Sequence, residues 1–567
     1  MAIQSIDLAT LTNQTAAKAV VDDTNARVKG LQTSVGSIAD ALANAVTWSI
    51  GPCRNLLRKT DTTNSTVSLK WEDSANTVID GVAAGMWVET TIVKKQGAIP
   101  TSPTDGTVVV TTTTRDQYAT TWYVDSQASG DNWEYRAFPK ASNGYVSDSV
   151  RNVFKPYINY GFIIDETNDN EATCVTYTDD ATGFDPLYVN FTTADADTSA
   201  SNECDACVWG SWRNAFFMPK PCMLKRDGTV DYYLDPANNY YKADGVTASD
   251  IANPSYDGNA MMEFPAIFVK VVRDTTNHTI AVNFASAKLD ADYECYPCLK
   301  SDGTYADNFY LPIFEGTLVS NCLRSIIPSA STKPLANTTS ANELAYARAN
   351  GEAWCTTTWA DEDLVRALGI LVMRRLDCQS AIGYLPGEST SALTNNVGTG
   401  ARKGMFYGHS GVSNPINTKF FGMENWWGHR WRRPQGCELV NGRLLVKLTK
   451  STQDGSNAND YGTSDSDVYT GAYIDTGITV ATNWSASFIV KATGVKGCMF
   501  APRTADGSGS SATYFCDAAW STSGVRCLFV GGNVTNGFRA GLFASLLNHA
   551  PSTALWNIGA SLSYHHL

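Results

Sequence analysis

Gly51-Pro52 divides this chain into two kinds of sequence. Before it, Val21, Thr24, Val28, Leu31, Val35, Ile38, Leu42 and Ala45 recur at alternating spacings of three and four, the pattern of a coiled-coil seam. Proline has no N–H to donate and glycine holds a helix poorly, so the pair predicts a firm stop. Beyond it the heptad does not return, and short alternating or β-branched runs between turn residues take its place. The expected fold class is therefore mainly β with an α+β head, preceded by a helical segment over residues 1–50. The flanks of that helix carry little complementary charge. A helix packed in a homotrimer, or clamped into a larger assembly, fits this better than a free dimer. A single amphipathic helix lying on its own domain is the alternative.

At 567 residues the chain is too long for one ordinary domain. Only 17% of residues are charged, while 15 Trp, 25 Tyr and 21 Phe make it rich in aromatics. Thr, Ser, Asn and Asp must supply most of its polar surface, as in β-rich extracellular or virion proteins. A net charge of −13 argues against nucleic acid, since phosphate binding needs clustered Lys and Arg. The densest basic cluster, His429-Arg430-Trp431-Arg432-Arg433, stands alone. Its expected role is a core turn with the arginines paired to acidic neighbours, rather than a platform for sugars or bases.

The N-terminus MAIQSIDLATLTNQ has neither a basic n-region nor an apolar h-region, so no signal peptide is expected. The apolar run from Leu364 to Met373 is broken by Arg366 and is too short to cross a bilayer. These features predict a product made in the cytoplasm without membrane insertion. Its 14 cysteines then default to reduced, buried thiols. Cys204/Cys207 and Cys295/Cys298 form two CxxC pairs, a weak candidate for a four-thiolate zinc site because the pairs stand so far apart. No cofactor is expected.

Residues 58–157 read as strands. Val67-Ser68-Leu69-Lys70-Trp71 alternates, Trp87 to Val93 forms a second run, and Thr107 to Thr114 is β-branched. Thr104-Asp105-Gly106 and Ser129-Gly130-Asp131-Asn132 mark turns. Leu69-Lys70-Trp71 in an early strand and Trp133-Glu134-Tyr135-Arg136-Ala137-Phe138 in a late one resemble a fibronectin type III domain of the kind common in phage tail proteins, which implies a spacer.

From 158 to 567 the pattern is irregular and rich in Trp and Gly. Two helices are expected, Ser340 to Asn350 and Asp361 to Leu376. In the second, Leu364, Leu368, Leu371 and Val372 would form the apolar face and Asp361 the cap. The Ser-, Asp-, Asn- and Gly-rich loop at 451–470 lacks the ordered ligand spacing of known calcium sites, so a solvated loop is the better reading.

Three stretches carry a further resemblance. Phe420 to Trp431 contains Gly422, Glu424, Asn425, Trp427, Gly428 and Trp431, and resembles the Gly-x-Glu-Asn-x-Trp-Gly-x-x-Trp signature of the C-type-lectin-like fold shared with formylglycine-generating enzymes. Gly531 to Phe543, followed by Trp556-Asn557-Ile558-Gly559-Ala560, is similar to the closing strands of that fold. Arg213 to Cys222, Met261 to Pro265 and Tyr293 to Leu299 resemble upstream parts of phage tail proteins built on it. Two departures stand out. Ser561 replaces the expected closing Arg, and Cys295-Tyr296-Pro297-Cys298 replaces a Val-His-Pro-Ala stretch. No cysteine lies between Leu528 and Leu567, so the reactive pair of the oxidases is missing.

Catalytic patterns are also missing. None of the six histidines, His278, His409, His429, His549, His565 and His566, sits in a catalytic motif, and the last two are expected in an exposed tail. No GxxxxGK[ST] phosphate loop occurs. The chain reads as a non-enzyme.

The resemblance implies a ligand face at about 510–567, comprising Trp520, Ser521, Asn533, Thr535, Asn536, Phe538, Ser545, Asn548, His549, Leu555 and Trp556. In one branch of the family, diversity-generating retroelements vary such positions. Aromatic platforms beside amides suit a host-surface glycan or a protein receptor. The expectation is a phage tail fibre or tail-tip receptor-binding protein of the virion, contacting other tail or baseplate proteins through residues 1–50. The alternatives are a structural baseplate or tail-tip scaffold and, less favoured, a surface-glycan depolymerase.

Overall fold

The structure is a computed structural model that describes residues 50–61, 64–79, 82–126, 132–147, 149–196, 206–300, 302–328, 334–383, 397–410, 418–448 and 474–567. The seam expected before Gly51, Cys204 and the 451–470 loop lie outside the described residues. The chain separates into two compact units, Met1–Ile158 and Asn159–Leu567. Both are mainly β, and only two described helices exceed eight residues.

In the first unit, alternation becomes sheet. Thr66–Glu72 buries Val67, Leu69 and Trp71 and pairs antiparallel with Arg54–Asp61 and Tyr123–Asp125. Trp87–Gln96 pairs with Thr107–Thr112 on one side and Trp133–Ala141 on the other. The inner faces of these two three-stranded sheets share one core, with Leu69, Trp71, Ile92, Tyr135, Ala137 and Phe154 at its centre. Lys94 of one sheet reaches Asp125 of the other at 2.7 Å, and the Tyr135 hydroxyl donates to the same carboxylate at 2.9 Å. The first strand begins at Arg54, ahead of the boundary expected at 58.

The second unit contains a six-stranded, a seven-stranded and two four-stranded sheets, besides shorter pairings. A helix, Trp359–Met373, is buried along its whole length. Leu364, Leu368, Leu371 and Val372 are buried as the expected apolar face requires, but the remaining faces are buried as well, and the expected cap at Asp361 is corrected. The Thr358 hydroxyl accepts the Asp361 N–H, while the Asp361 carboxylate accepts the Thr358 N–H, so Asp361 is the third residue of a capping box. The buried charged side chains of this helix are compensated by partners brought from elsewhere in the fold. Glu362 accepts from Arg366 at 3.1 Å and from Arg432 at 3.0 Å, and Asp363 accepts the backbone N–H groups of Met499 and Phe500. The helix thus anchors the strand Trp431–Arg432 and the Met499–Phe500 segment through its carboxylates. The other helix, Ser340–Arg348, is capped by Thr339.

The last strand of the six-stranded sheet is interior. Leu562–Tyr564 lies between Asn308–Pro312 and Trp354–Thr356 in the six-stranded sheet. His565 is buried, with Nδ1 2.8 Å from the Pro297 carbonyl and Nε2 3.1 Å from Asp361, and His566 is half-buried. The exposed tail expected for this pair is corrected: the closing strand carries both into the fold.

Candidate receptor-binding face

The signature stretch is framework. Gly422, Asn425 and Gly428 take positive φ (77°, 60° and 82°), which reverses the chain between aromatic rings. Trp427 is fully buried and donates its indole N–H to the Gly383 carbonyl at 3.0 Å. Glu424 accepts the Gly398 N–H at 2.9 Å. Beside it, burial pushes the Lys419 ammonium down to about 8, against the pull of that carboxylate. Trp431-Arg432 enters the seven-stranded sheet between Phe529–Val530 and Ile558–Gly559. The arginines are spent on buried ion pairs: Arg430–Glu315 at 3.0 Å, Arg432–Glu362 at 3.0 Å and Arg433–Glu343 at 3.1 Å. This cluster has no surface left to offer a ligand.

What it does is seat the loop at 531–540. The Gly428 N–H donates to the Gly531 carbonyl and the Val534 N–H donates to the His429 carbonyl. Gly531 and Gly532 both have positive φ, and a Cβ on Gly532 would fall 2.5 Å from that of Ala540. Two asparagines lock the turn. The Asn533 side chain accepts from the Thr535 N–H and hydroxyl, both at 2.8 Å, and the Asn536 side chain accepts the Asn533 N–H at 2.8 Å. The result is a short, pre-shaped loop that exposes Thr535, Phe538 and Arg539. Phe538 is 48% exposed, stacks nearly parallel to Phe488 with centroids 6.2 Å apart, and carries the Arg539 guanidinium over its ring at 4.8 Å.

The other expected residues are dispersed. Trp520 is half-buried and meets Trp431 edge-on at 5.7 Å. Asn548 is half-buried; so is His549, which stands against Phe529, its imidazole pushed down by burial and by Arg433 and Arg526. Leu555 and Trp556 are exposed. Three positions do not belong to a ligand surface. Ser521 is buried and bonded to the Ala481 carbonyl and the Trp484 N–H, Ser545 is buried and donates to the Phe543 carbonyl, and Asn533 is the buried lock of the turn.

Nor is the remainder one patch. Phe538 rests on strand Ser487–Ala492, whereas Trp556 leads into Ile558–Gly559, at the far edge of the same sheet. Five strand spacings separate those strands, or ~24 Å along the sheet. The loop at 531–540 and the segment at 548–556 are therefore separate candidate contacts. Phe488 and Arg539 complete the first and were not expected. Arg539 adjoins Phe538 in sequence, but Phe488 reaches it only through tertiary packing.

The candidate four-thiolate zinc site does not assemble from the described residues and is corrected here. Cys207 is half-buried on the short strand Cys207–Val208, which pairs antiparallel with Tyr188–Val189. Cys295 and Cys298 are buried beside each other at the single turn Tyr296–Cys298. The two CxxC pairs thus belong to different local structures, and Cys207 does not join Cys295 and Cys298. Among the described residues no group of three or more His, Cys, Asp or Glu could hold a metal ion. Sequence spacing marks each CxxC as a local pair, but only tertiary packing could have joined one pair to the other. Among the same residues no helix is long and apolar enough to cross a membrane. No protein-family model matches this chain, and a search of curated proteins finds no match.

Proposed function

We propose that this chain is a receptor-binding protein of a tailed-phage virion, acting by binding rather than catalysis. On this reading, residues 1–50 attach or trimerise the chain, a fibronectin-like sandwich spaces it outward, and a C-type-lectin-like head carries the contact with the host surface. The observation that carries the proposal is the loop at 531–540. A half-exposed aromatic ring flanked by a guanidinium and a hydroxyl is held by side-chain bonds to its own backbone, on a turn set by the buried Trp427 stretch. Such a loop loses little conformational freedom when it meets a ligand, which is where weak sites gain affinity. Several copies per virion would raise a weak contact by roughly 10²–10⁴ in avidity.

An adsorption competition tests this. The full chain is mixed with host cells, and phage attachment is counted with and without it. Blocked attachment that is lost in Phe538→Ala places the contact at the 531–540 loop, and loss in Trp556→Ala places it at the second segment. If saturating chain leaves attachment unchanged, receptor binding is wrong and a virion scaffold takes its place.

A further inference from the structure

Away from the expected face, a buried lysine beside the signature stretch has a chemistry that a framework role leaves unused. Lys419–Phe420 pairs antiparallel with Met423–Glu424, so Lys419 and Glu424 stand directly opposite each other. Side chains opposed in this way share one face of the ladder. Both lie against the loop at 398–401. The Gly398 N–H donates to the two Glu424 oxygens at 2.9 and 3.0 Å. A Cβ on Gly400 would meet the Lys419 stem at 3.1 Å and the Glu424 carboxyl carbon at 3.5 Å, so only glycine lets the loop lie this close. On its other side Lys419 is fixed by Tyr407, with which it exchanges backbone hydrogen bonds of 2.8 and 3.1 Å.

At the end of that stem, Lys419 Nζ donates to the side-chain carbonyl of Asn239 at 2.8 Å, across 180 positions of sequence. Asn239 is held from three sides. Its backbone N–H donates to the Ala401 carbonyl at 2.8 Å, its side-chain amide donates to the Asp235 carbonyl at 3.1 Å, and its backbone carbonyl accepts the Ser249 hydroxyl at 2.6 Å. Asn239, Lys419 and Glu424 are 1%, 0% and 4% exposed, so amine, amide and carboxylate meet where water is excluded. With burial holding the ammonium down to about 8, the neutral, nucleophilic amine is populated near neutral pH. The amide carbon lies one C=O bond, ~1.2 Å, beyond the accepting oxygen, which puts Nζ within ~4 Å of it. Attack starts from roughly 3–3.5 Å, a distance that a small torsional adjustment of the lysine stem supplies.

We propose that Lys419 and Asn239 join in an intramolecular amide bond, with Glu424 as the proton carrier. The Nζ lone pair attacks Asn239 Cγ and the Nζ–Cγ bond forms. Glu424 takes one proton from Nζ and delivers it to Nδ2, the Cγ–Nδ2 bond breaks, and Nδ2 leaves as ammonia. A primary amide and an amine thus become a secondary amide and ammonia, with no oxidant or other reagent. The bond ties the segment after the strand Val230–Tyr233 to the signature stretch, and it does not depend on what the chain binds.

The test is a peptide map of the full chain, denatured, digested and read by mass spectrometry. A branched peptide should join the Asn239 and Lys419 segments, with the mass of its two parts less one ammonia. Asn239→Asp should give the same branch less one water instead. Lys419→Arg, which keeps the cation but offers no amine, should give none. Glu424→Gln, sampled over time after synthesis, should form the branch roughly 10²-fold more slowly or worse. A wild-type chain that yields only separate linear peptides, with Lys419 open to an amine-labelling reagent once denatured, overturns the proposal, and this readout needs no variant to fold. A branch that persists in Lys419→Arg also overturns it, and wild-type speed in Glu424→Gln overturns the part given to Glu424.

Discussion

Two glycine- and aromatic-rich stretches of the second unit, Phe420–Arg433 and Gly531–Phe543, have similar compositions and opposite fates. In the first, every residue is buried, and the three arginines Arg430, Arg432 and Arg433 are turned inward onto carboxylates. In the second, Gly531 packs against Trp426 and Trp427 of the first stretch, while Thr535, Phe538 and Arg539 face solvent. Composition alone does not distinguish a scaffold from the loop it carries. What separates them is whether the polar groups find partners inside the fold: each of these three arginines is buried against a carboxylate, whereas Arg539 lies over an exposed ring.

The largest effect should come from the scaffold. Trp427→Ala removes a fully buried ring and strands the Gly383 carbonyl, and should cost ~3–5 kcal/mol in a urea titration. A loss below ~1 kcal/mol would mean that the stretch is not the support it is taken to be.

The buried carboxylates sharpen the comparison through pH. Burial would raise Glu315, but Arg430 and His429 outweigh it and hold this group at about 2. At Glu343, burial outweighs the single Arg433 and pushes the carboxyl from 4.5 to about 7, and burial likewise pushes Asp363 from 3.8 to about 6. For Glu343 and Asp363 the folded chain holds a proton that the unfolded chain releases. Their contribution is therefore full below the unfolded values and is lost as pH rises through about 6 to 7. Glu315 works oppositely, contributing above 4.5 and losing that contribution as pH falls toward 2. The melting temperature should accordingly rise when pH is lowered from about 8 to about 5. Glu343→Gln should flatten that slope, and an unchanged slope in this variant would remove Glu343 as its cause.

Gly532→Ala, inside the second stretch, should cost about 1–3 kcal/mol, since the new Cβ meets that of Ala540 on a backbone with φ 78°. A neutral result by thermal denaturation would show that the loop re-forms without its turn. Phe538→Ala is the smallest in stability. With the ring half-exposed, less than ~1 kcal/mol is expected, while attachment competition falls. Equal losses of stability and competition would make Phe538 structural.

Local rules were legible where neighbours in sequence decide the outcome. The strands around Val67–Trp71, Trp87–Val93 and Thr107–Thr112 follow from period-two alternation and β-branching. The helix after Thr358 was legible as a helix, but its surroundings were not. Leu364, Leu368, Leu371 and Val372 imply one apolar side, yet Glu362 and Asp363 are buried too, because their partners arrive from Arg432, Met499 and Phe500. At the candidate face, the resemblance grouped Thr535 and Phe538 with the other residues of the expected ligand face. It could not separate them from Asn533, whose side chain is consumed by the turn it shapes.

The β character of the chain after Gly51-Pro52 and the turn at Thr104-Asp105-Gly106 were readable from residues close in sequence, because they depend on backbone freedom and side-chain shape over a few positions. Only the tertiary structure decided which charges are buried, which ring stands on Phe488, and that Arg503 and Arg273 share Glu166. Those outcomes join residues far apart in the chain, and the energy of a buried charge depends on the partner that packing brings to it rather than on its neighbours in sequence.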